Sequence, residues 1–321
     1  MNREKTADTD ATPLDEAARA GWLYYVGQKT QDQIAREMGI SRQRAQRLVS
    51  KAMAEGLIRV RLDHRLSACL ALEAELIRRF DLRLSRVAPS LGPGVDPVRA
   101  VAPLAAAEME RMLSAPEPMV LALGTGRVLR ASIEELPQME CPQHKIVSLI
   151  GNIAPDGSAS FFDVIMRIAD KTHAPHFPMP LPVIAASPEE RDLFHSLAPI
   201  RRARELASCA DVTFLGVGQM DDSAPLYVDG FLSLDRLHEL QRAGAVGEMV
   251  GWPYDAEGRY LELGDSFCIA GVMILPSTDR LSVAVAAGSS KILPLLGALR
   301  GRLVNGLITD ETTAIALLSE S

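Results

Sequence analysis

Between Thr30 and Gly56 the chain reads TQDQIAREMGISRQRAQRLVSKAMAEG, and no other stretch restricts the fold so tightly. Thr30 and Ser41 each stand before a run with helical spacing of apolar residues, where a side-chain oxygen can cap the orphan N–H groups of a first turn. Gly39 ends the first run, because glycine alone takes the left-handed backbone of a tight turn without penalty. The spacing predicts one helix over 31–38 and another from Ser41 to about Glu55, where Gly56 stops it. Ala35 keeps the crossing slim, and Ile34, Met38, Ile40, Ala45 and Leu48 supply a small shared core. A helix over 14–25 precedes the pair, and the alternation over 57–62 predicts a short strand or wing with Arg59 and Arg61 on one side.

This arrangement leaves Arg42, Gln43, Gln46 and Arg47 on the outer face of the later helix. Arginine and glutamine suit bidentate hydrogen bonds to guanine and adenine edges in a major groove. Together with Thr30, Ser41 and Arg44 they make the candidate set for binding double-stranded DNA. Charge agrees: from Gln28 to Arg65 nine basic residues stand against four acidic ones, whereas the whole chain carries −7. A compact basic head on an acidic body can approach phosphates while the remainder stays dissolved. A solvated amphipathic hairpin would share the spacing, but would not also require the glycine turn, the slim crossing and the basic outer face.

The 321 residues leave room for a large second domain, and a hydrophobic share of 47% with 23% charged residues fits a packed globular core. No apolar run approaches the ~20 residues that cross a bilayer, so no membrane partner is expected. The first thirteen residues are polar and read as a flexible leader, not an export tag, which points to the cytoplasm. Cys69, Cys141, Cys209 and Cys268 are scattered without metal-ligand spacing and are expected as reduced, buried thiols, with no metal site.

A helix over 67–80 is a candidate connector or dimer surface, and Pro89, Gly92, Pro93, Gly94 and Pro97 punctuate the segment after it. Beyond them, short apolar runs over 119–123, 146–150, 183–186, 212–217, 267–275, 281–287 and 303–308 alternate with helical patterns. Such interleaving predicts an α/β domain with a mostly parallel sheet and flanking helices. Ligands of such sheets sit beyond the carboxyl ends of the strands. There the turn Gly124, Thr125, Gly126, followed by Arg127, offers N–H groups and a hydroxyl beside a helix N-terminus. A short glycine turn of this kind is as often merely structural. Gly151 and Asn152 end the next strand, and a helix expected from Ser160 places Asp163 near its start, either to accept ligand hydroxyls or to favour the helix dipole. Asp229 lies in a loop before the helix over 234–240, and Glu248 in a glycine-rich turn. Lys291 opens a helix where its charge opposes the dipole, which argues for a role toward an anionic ligand or Glu248. His173 and His176 sit in a proline-stiffened loop and carry no metal expectation.

These residues resemble the SorC-type sugar-binding transcriptional regulators. The resemblance rests on IAREMGISRQRAQRLVSKAMAEGLIRV in the head and on LGTGRVL, ADVTFLGVGQMD, APLYVDGF, AGAVGEMVGWPYDAEG and AAGSSKILPLLGALRGRLVNGLITDETTA beyond it, and it spans nearly the whole chain from about Leu14. It implies a winged helix-turn-helix followed by an effector domain akin to the fold of glucosamine-6-phosphate deaminase and ribose-5-phosphate isomerase. It also implies a ligand among the GTG turn, the Glu248 loop and Lys291, and homodimers or homotetramers on palindromic operators. The expected layout is a leader over 1–13, a DNA-binding domain over 14–63, a connecting helix over 64–85 and an effector domain over 86–321. The expected ligand is a sugar, polyol or sugar phosphate, with no cofactor and no catalytic residue. A sugar-phosphate isomerase or deaminase with an appended head is the alternative, and Glu248 and Lys291 are the one acid/base pair it could use.

Overall fold

Three helices with side-chain caps build the N-terminal unit. The structure, a computed structural model, describes residues 12–58, 66–154, 157–158, 164–261, 264 and 268–320. It divides into two units, residues 1–64 and 65–321. In the first, α1 spans Pro13–Tyr25, α2 Gln31–Met38 and α3 Arg42–Ala54. The hydroxyl of Thr12 caps α1 in a reciprocal box with Asp15, Thr30 does the same with Gln33, and Ser41 accepts the Arg44 N–H at 3.2 Å. Gly39 closes α2 at φ 65°, the left-handed value expected of it. Ala17, Ala20, Ile34, Ala35, Ala45, Leu48, Val49 and Ala52 form the core. α1 approaches α3 so closely that a Cβ on Gly21 would stand 2.9 Å from that of Ala52 and 2.7 Å from Cγ1 of Ile58. Most of the expected wing, including Arg59 and Arg61, lies outside the described residues.

The larger unit opens with α4 (Ser67–Phe80), β1 (Leu84–Ala88) and α5 (Val98–Leu113). Next come β2 (Val120–Leu123), α6 (Arg127–Glu135), β3 (Lys145–Ser148), α7 (Ile165–Thr172) and β4 (His176–Phe177). After β5 (Ile184–Ala185) the chain forms α8 (Pro188–Ser196), α9 (Ala198–Ser208), β6 (Val212–Leu215), β7 (Gly218–Gln219), α10 (Pro225–Val228) and α11 (Leu234–Arg242). β8 (Gly247–Met249), β9 (Trp252–Tyr254), β10 (Cys268–Ile269), β11 (Leu281–Val285), α12 (Ile292–Arg300), β12 (Gly306–Asp310) and α13 (Glu311–Glu320) complete it.

Seven strands make one parallel sheet in the order β1-β12-β11-β6-β2-β3-β4. Both faces are apolar because both are covered. Leu121, Leu123, Phe214, Val283, Val285 and Ile308 face the cluster formed with Met109, Leu129 and Ile168 of α5 to α7. The alternate residues Ala122, Leu215, Ala284 and Leu307 face the cluster with Leu76, Ala203, Leu295 and Leu317 of α4, α9, α12 and α13. α4, expected as a connector, thus also contributes Cys69 and Leu76 to the core of the large unit.

Cys69, Cys141 and Cys268 are buried as expected, but Cys209 is exposed, because it caps the C-terminal end of α9. Two runs expected in the parallel sheet are elsewhere. β5 and β10 pair antiparallel with one another, Ile184 opposite Ile269, away from the seven strands. Past β10 the Ala270 N–H still donates to the Val183 carbonyl at 3.1 Å, while the Ala270 carbonyl accepts from His195 Nε2 at 3.0 Å and Arg204 Nη1 at 3.1 Å, so side chains satisfy the acceptor of that residue. The loop around His176 contributes an edge strand instead of remaining irregular. The helix expected from Ser160 is described from Ile165, and residues 160–163 lie outside the described set.

Candidate functional site

The chain reverses its direction across the sheet between β2 and β6. From β2 it steps outward to β3 and β4, and from β6 it steps the other way to β11 and β12. An open α/β sheet leaves a crevice at such a switch point. A cleft of about 200 Å³ occupies this one, floored by Gly124, Leu215, Gly216 and Val285–Ala287 at the carboxyl ends of β2, β6 and β11. The Gly124 N–H donates to the Phe214 carbonyl at 2.8 Å, which ties the two central strands together where they diverge. Gly126 then opens α6 at φ 119° with no side-chain cap bond, so the first turn presents its backbone toward the cleft beside the Thr125 hydroxyl.

Charged groups come in from three elements. Arg127, at the start of α6, makes a two-pronged pair with Asp229 at the end of α10, Nη2 to Oδ1 2.7 Å and Nη1 to Oδ2 3.4 Å. Glu248 stands on β8, the middle strand of the small antiparallel sheet β7-β8-β9, directly opposite Gly218. A Cβ at residue 218 would fall 2.0 Å from Glu248 Oε1, so the carboxylate lies across bare backbone. Its Oε2 accepts the Gly251 N–H at 2.8 Å. That bond spans a two-residue hairpin in which Val250 at φ 55° and Gly251 at φ 85° are both left-handed. Lys291, the last residue of a single 3-10 turn over Ser289–Lys291, donates to Gln219 Oε1. Gln219 is itself oriented through Nε2 by the Ser223 carbonyl and hydroxyl, both at 3.1 Å.

Burial pushes the Glu248 carboxyl above its usual range, partly opposed by the Gly251 N–H and by Lys291. Burial also pulls the Lys291 ammonium down, while Glu248 and Asp221 raise it and Arg127 lowers it again. A carboxyl whose folded pKa is raised gives the native state extra bound protons, so its contribution to stability is full below 4.5 and is lost as pH rises through the raised value. The Glu248→Gln variant has no such proton to lose. Its melting temperature should therefore fall less than that of the wild type as pH rises from 4.5, and superimposable pH profiles would show that the carboxyl is not penalised by burial.

The sequence expectations separate cleanly. Gly124, Thr125, Gly126, Arg127, Asp229, Glu248 and Lys291 all line the cleft. Gly151 and Asn152 do not, although Ile150 just before them does: a Cβ on Gly151 would stand 2.2 Å from the Leu181 carbonyl oxygen, so this glycine serves close packing. Asp163 lies outside the described residues. Gly218, Val250 and Phe231 also line the cleft and Gln219 holds Lys291 beside it, four residues that sequence reasoning misses, although the motif LGVGQMD already holds Gly218 and Gln219 beside a strand end.

In the head, Arg42, Gln43, Gln46 and Arg47 are exposed along α3. Arg47 Nε makes only a 3.4 Å bond to the Gln43 carbonyl, and Arg42 stands 3.5 Å from Asp32. Arg44 turns back to Glu16 of α1 at 2.8 Å, and the hydroxyls of Thr30 and Ser41 are engaged as helix caps. No helix among the described residues is long and apolar enough to cross a membrane.

Comparison with known proteins bears on both units. Residues 64–319 match the family described as "Putative sugar-binding domain", and residues 17–65 match the MarR family. The chain is 32% identical to the erythritol catabolism regulatory protein EryD of Brucella abortus over 308 residues, 95% of this chain and 96% of that protein. It is 32% identical to the transcriptional regulator LsrR of an Enterobacter species over 318 residues, 96% of this chain and 94% of that one. The crystal structure of the full-length sorbitol operon regulator SorC from Klebsiella pneumoniae superposes with a TM-score of 0.71 at 25% identity, covering 98% of this chain and all of that one.

Proposed function

Because the chain belongs to the SorC-type family of sugar-binding transcriptional regulators, we propose that the switch-point cleft takes a short polyol or sugar and that its occupancy sets how tightly α3 holds operator DNA. One observation carries this reading: among the described residues lining the cleft, both cations are already engaged, Arg127 with Asp229 at 2.7 Å and Lys291 with the side-chain amide oxygen of Gln219. Hydroxyl groups donate and accept at once, so a set of balanced donors and acceptors suits them. A phosphate ester would have to draw Arg127 from Asp229 first, which favours the free polyol. EryD, a regulator named for erythritol catabolism, is in keeping with a ligand of that size. In this reading residues 14–63 form the DNA-reading domain and the exposed Arg42, Gln43, Gln46 and Arg47 supply its contacts, with Arg44, Thr30 and Ser41 shaping the surface they stand on. Two copies, or two pairs, bind a palindrome whose half-sites repeat at about 10 base pairs. The work is done in the cytoplasm, where the operator is, and the cleft binds without turnover.

The test pairs erythritol, xylitol and sorbitol with their terminal phosphates, each scored for a melting shift of the protein and for a change in anisotropy of a labelled operator. A free polyol that raises the melting point and alters operator affinity at the same concentration is the expected result. Shifts confined to the phosphates would assign the cleft to an anion, and steady consumption of any of them would make the protein an enzyme.

A further inference from the structure

A second, more open pocket of about 350 Å³ lies behind one wall of the cleft. Among the described residues, Phe231 is the one side chain that lines both. Its neighbours hold it there. Asp229 is fixed by Arg127, and Gly230 turns the chain at φ 80°. The buried Leu232 donates its N–H to the Leu226 carbonyl at 2.9 Å, and Ser233 caps α11. The ring packs against the core beneath the main sheet and against the separate cluster under α10 and α11. On the same boundary Val183 faces the cleft and Ile184 the outer pocket.

We infer that Phe231 is the wall that limits the length of the effector, an inference that rests on the cleft being the effector site. The cleft alone falls below the ~300–1,000 Å³ of ordinary ligand pockets, and joined to the outer pocket it would reach that range. Beyond the ring the lining is mixed: next to Ile184 and Leu232 it holds the Ser233 hydroxyl, the Asp235 carboxylate and the Arg236–Glu239 ion pair, polar groups that suit further sugar hydroxyls. The phenyl ring therefore separates two polyol-compatible spaces. It excludes a longer ligand by volume, and because it has no hydrogen-bonding group it leaves any hydroxyl pressed against it without a partner. The ligand class beyond the wall is a longer polyol or a disaccharide alcohol.

The experiment titrates the full-length chain and its Phe231→Ala and Phe231→Leu variants with erythritol, xylitol, sorbitol and maltitol, reading Kd by calorimetry. The wild type should reject maltitol by about 100-fold or more against its best short ligand, a ratio within reach of a shaped apolar pocket. In Phe231→Ala that ratio should shrink to about 10-fold or less, with Phe231→Leu between the two. If the alanine variant fails to fold, Phe231→Val takes its place in the graded series. An unchanged length profile in folded variants, or a wild type that binds maltitol as tightly as erythritol, overturns the assignment. Lys291→Ala separates the two levels. If it leaves wild-type binding untouched, or if no compound of the series binds, the cleft reading fails and this inference with it. Lys291-dependent binding with an unaltered length profile removes only the role of Phe231.

Discussion

An Arg42→Ala, Arg47→Ala double variant is expected to lose most of its operator affinity while keeping the melting shift that an effector produces. Both guanidinium groups stand exposed on α3, held only by a 3.5 Å approach to Asp32 and a 3.4 Å bond to the Gln43 carbonyl. Exposed contacts of this kind are worth about 0–1 kcal/mol, so little has to be surrendered on binding DNA. A bidentate bond to a guanine edge contributes about 1–3 kcal/mol, roughly 5- to 150-fold in affinity for each arginine that reads a base. An arginine that instead neutralises a phosphate shows itself differently, lowering the slope of log K against log salt by about 1. Anisotropy titrations at two or more salt concentrations distinguish these. Arg44→Ala should have the smaller effect of the three, since its charge is already spent on Glu16 at 2.8 Å. Wild-type affinity and slope in the double variant would remove α3 from the DNA interface.

Gly218→Ala is expected to abolish the effector response without deleting a single charged group. The added Cβ would lie 2.0 Å from Glu248 Oε1, 2.7 Å from Cδ and 2.8 Å from Cγ, so the whole end of that side chain must rotate away. It then leaves the Gly251 N–H that it accepts at 2.8 Å. A ligand present at about 100 times its Kd stabilises the folded chain by about 2.7 kcal/mol. For a unit of this size that is a melting shift of roughly 5–10 °C. The variant should lose it, as should Lys291→Ala, while circular dichroism shows the fold retained in both. A full shift in Gly218→Ala would mean that Glu248 has no part in holding the ligand.

The head was legible because its signals are local. Thr30, Gly39 and Ser41 act within three or four residues of themselves, and α2 spans Gln31–Met38 as their spacing required. The close contact of Gly21 with Ala52 and Ile58 was not legible, because nothing near residue 21 announces what lies across the crossing. In the large unit the central strands could be read as apolar runs, since burial on both faces leaves no polar alternation to confuse them. α5 carries Pro103 in its interior, and β8 and β9 are three-residue strands containing glycine and proline, so local propensity argued against all three. The run over 183–186 looked like one more central strand, and only its antiparallel partner β10 shows otherwise. Of the site, the residues at the ends of β2 and at the start of α12 were found by their position in the alternation. Gly151 matched the same description, and was separated only by its packing against the Leu181 and Pro182 carbonyls, which lie far along the chain and leave no local sign, while Ile150 beside it lines the crevice.

The hairpin turn beside Glu248 bears on how a bound molecule can be felt at all. Three parallel strands beneath the cleft are locked into the sheet on both sides and cannot yield. Val250, by contrast, keeps a β-branched side chain at φ 55°, a conformation that stores on the order of 1–3 kcal/mol and persists only while its surroundings insist on it. The Glu248 bond to the Gly251 N–H is one of those restraints. In the proposed reading, a guest that claims the carboxylate for its own hydroxyls would loosen the catch on a spring that folding has already wound, so that the rim would move on energy present before the guest arrives.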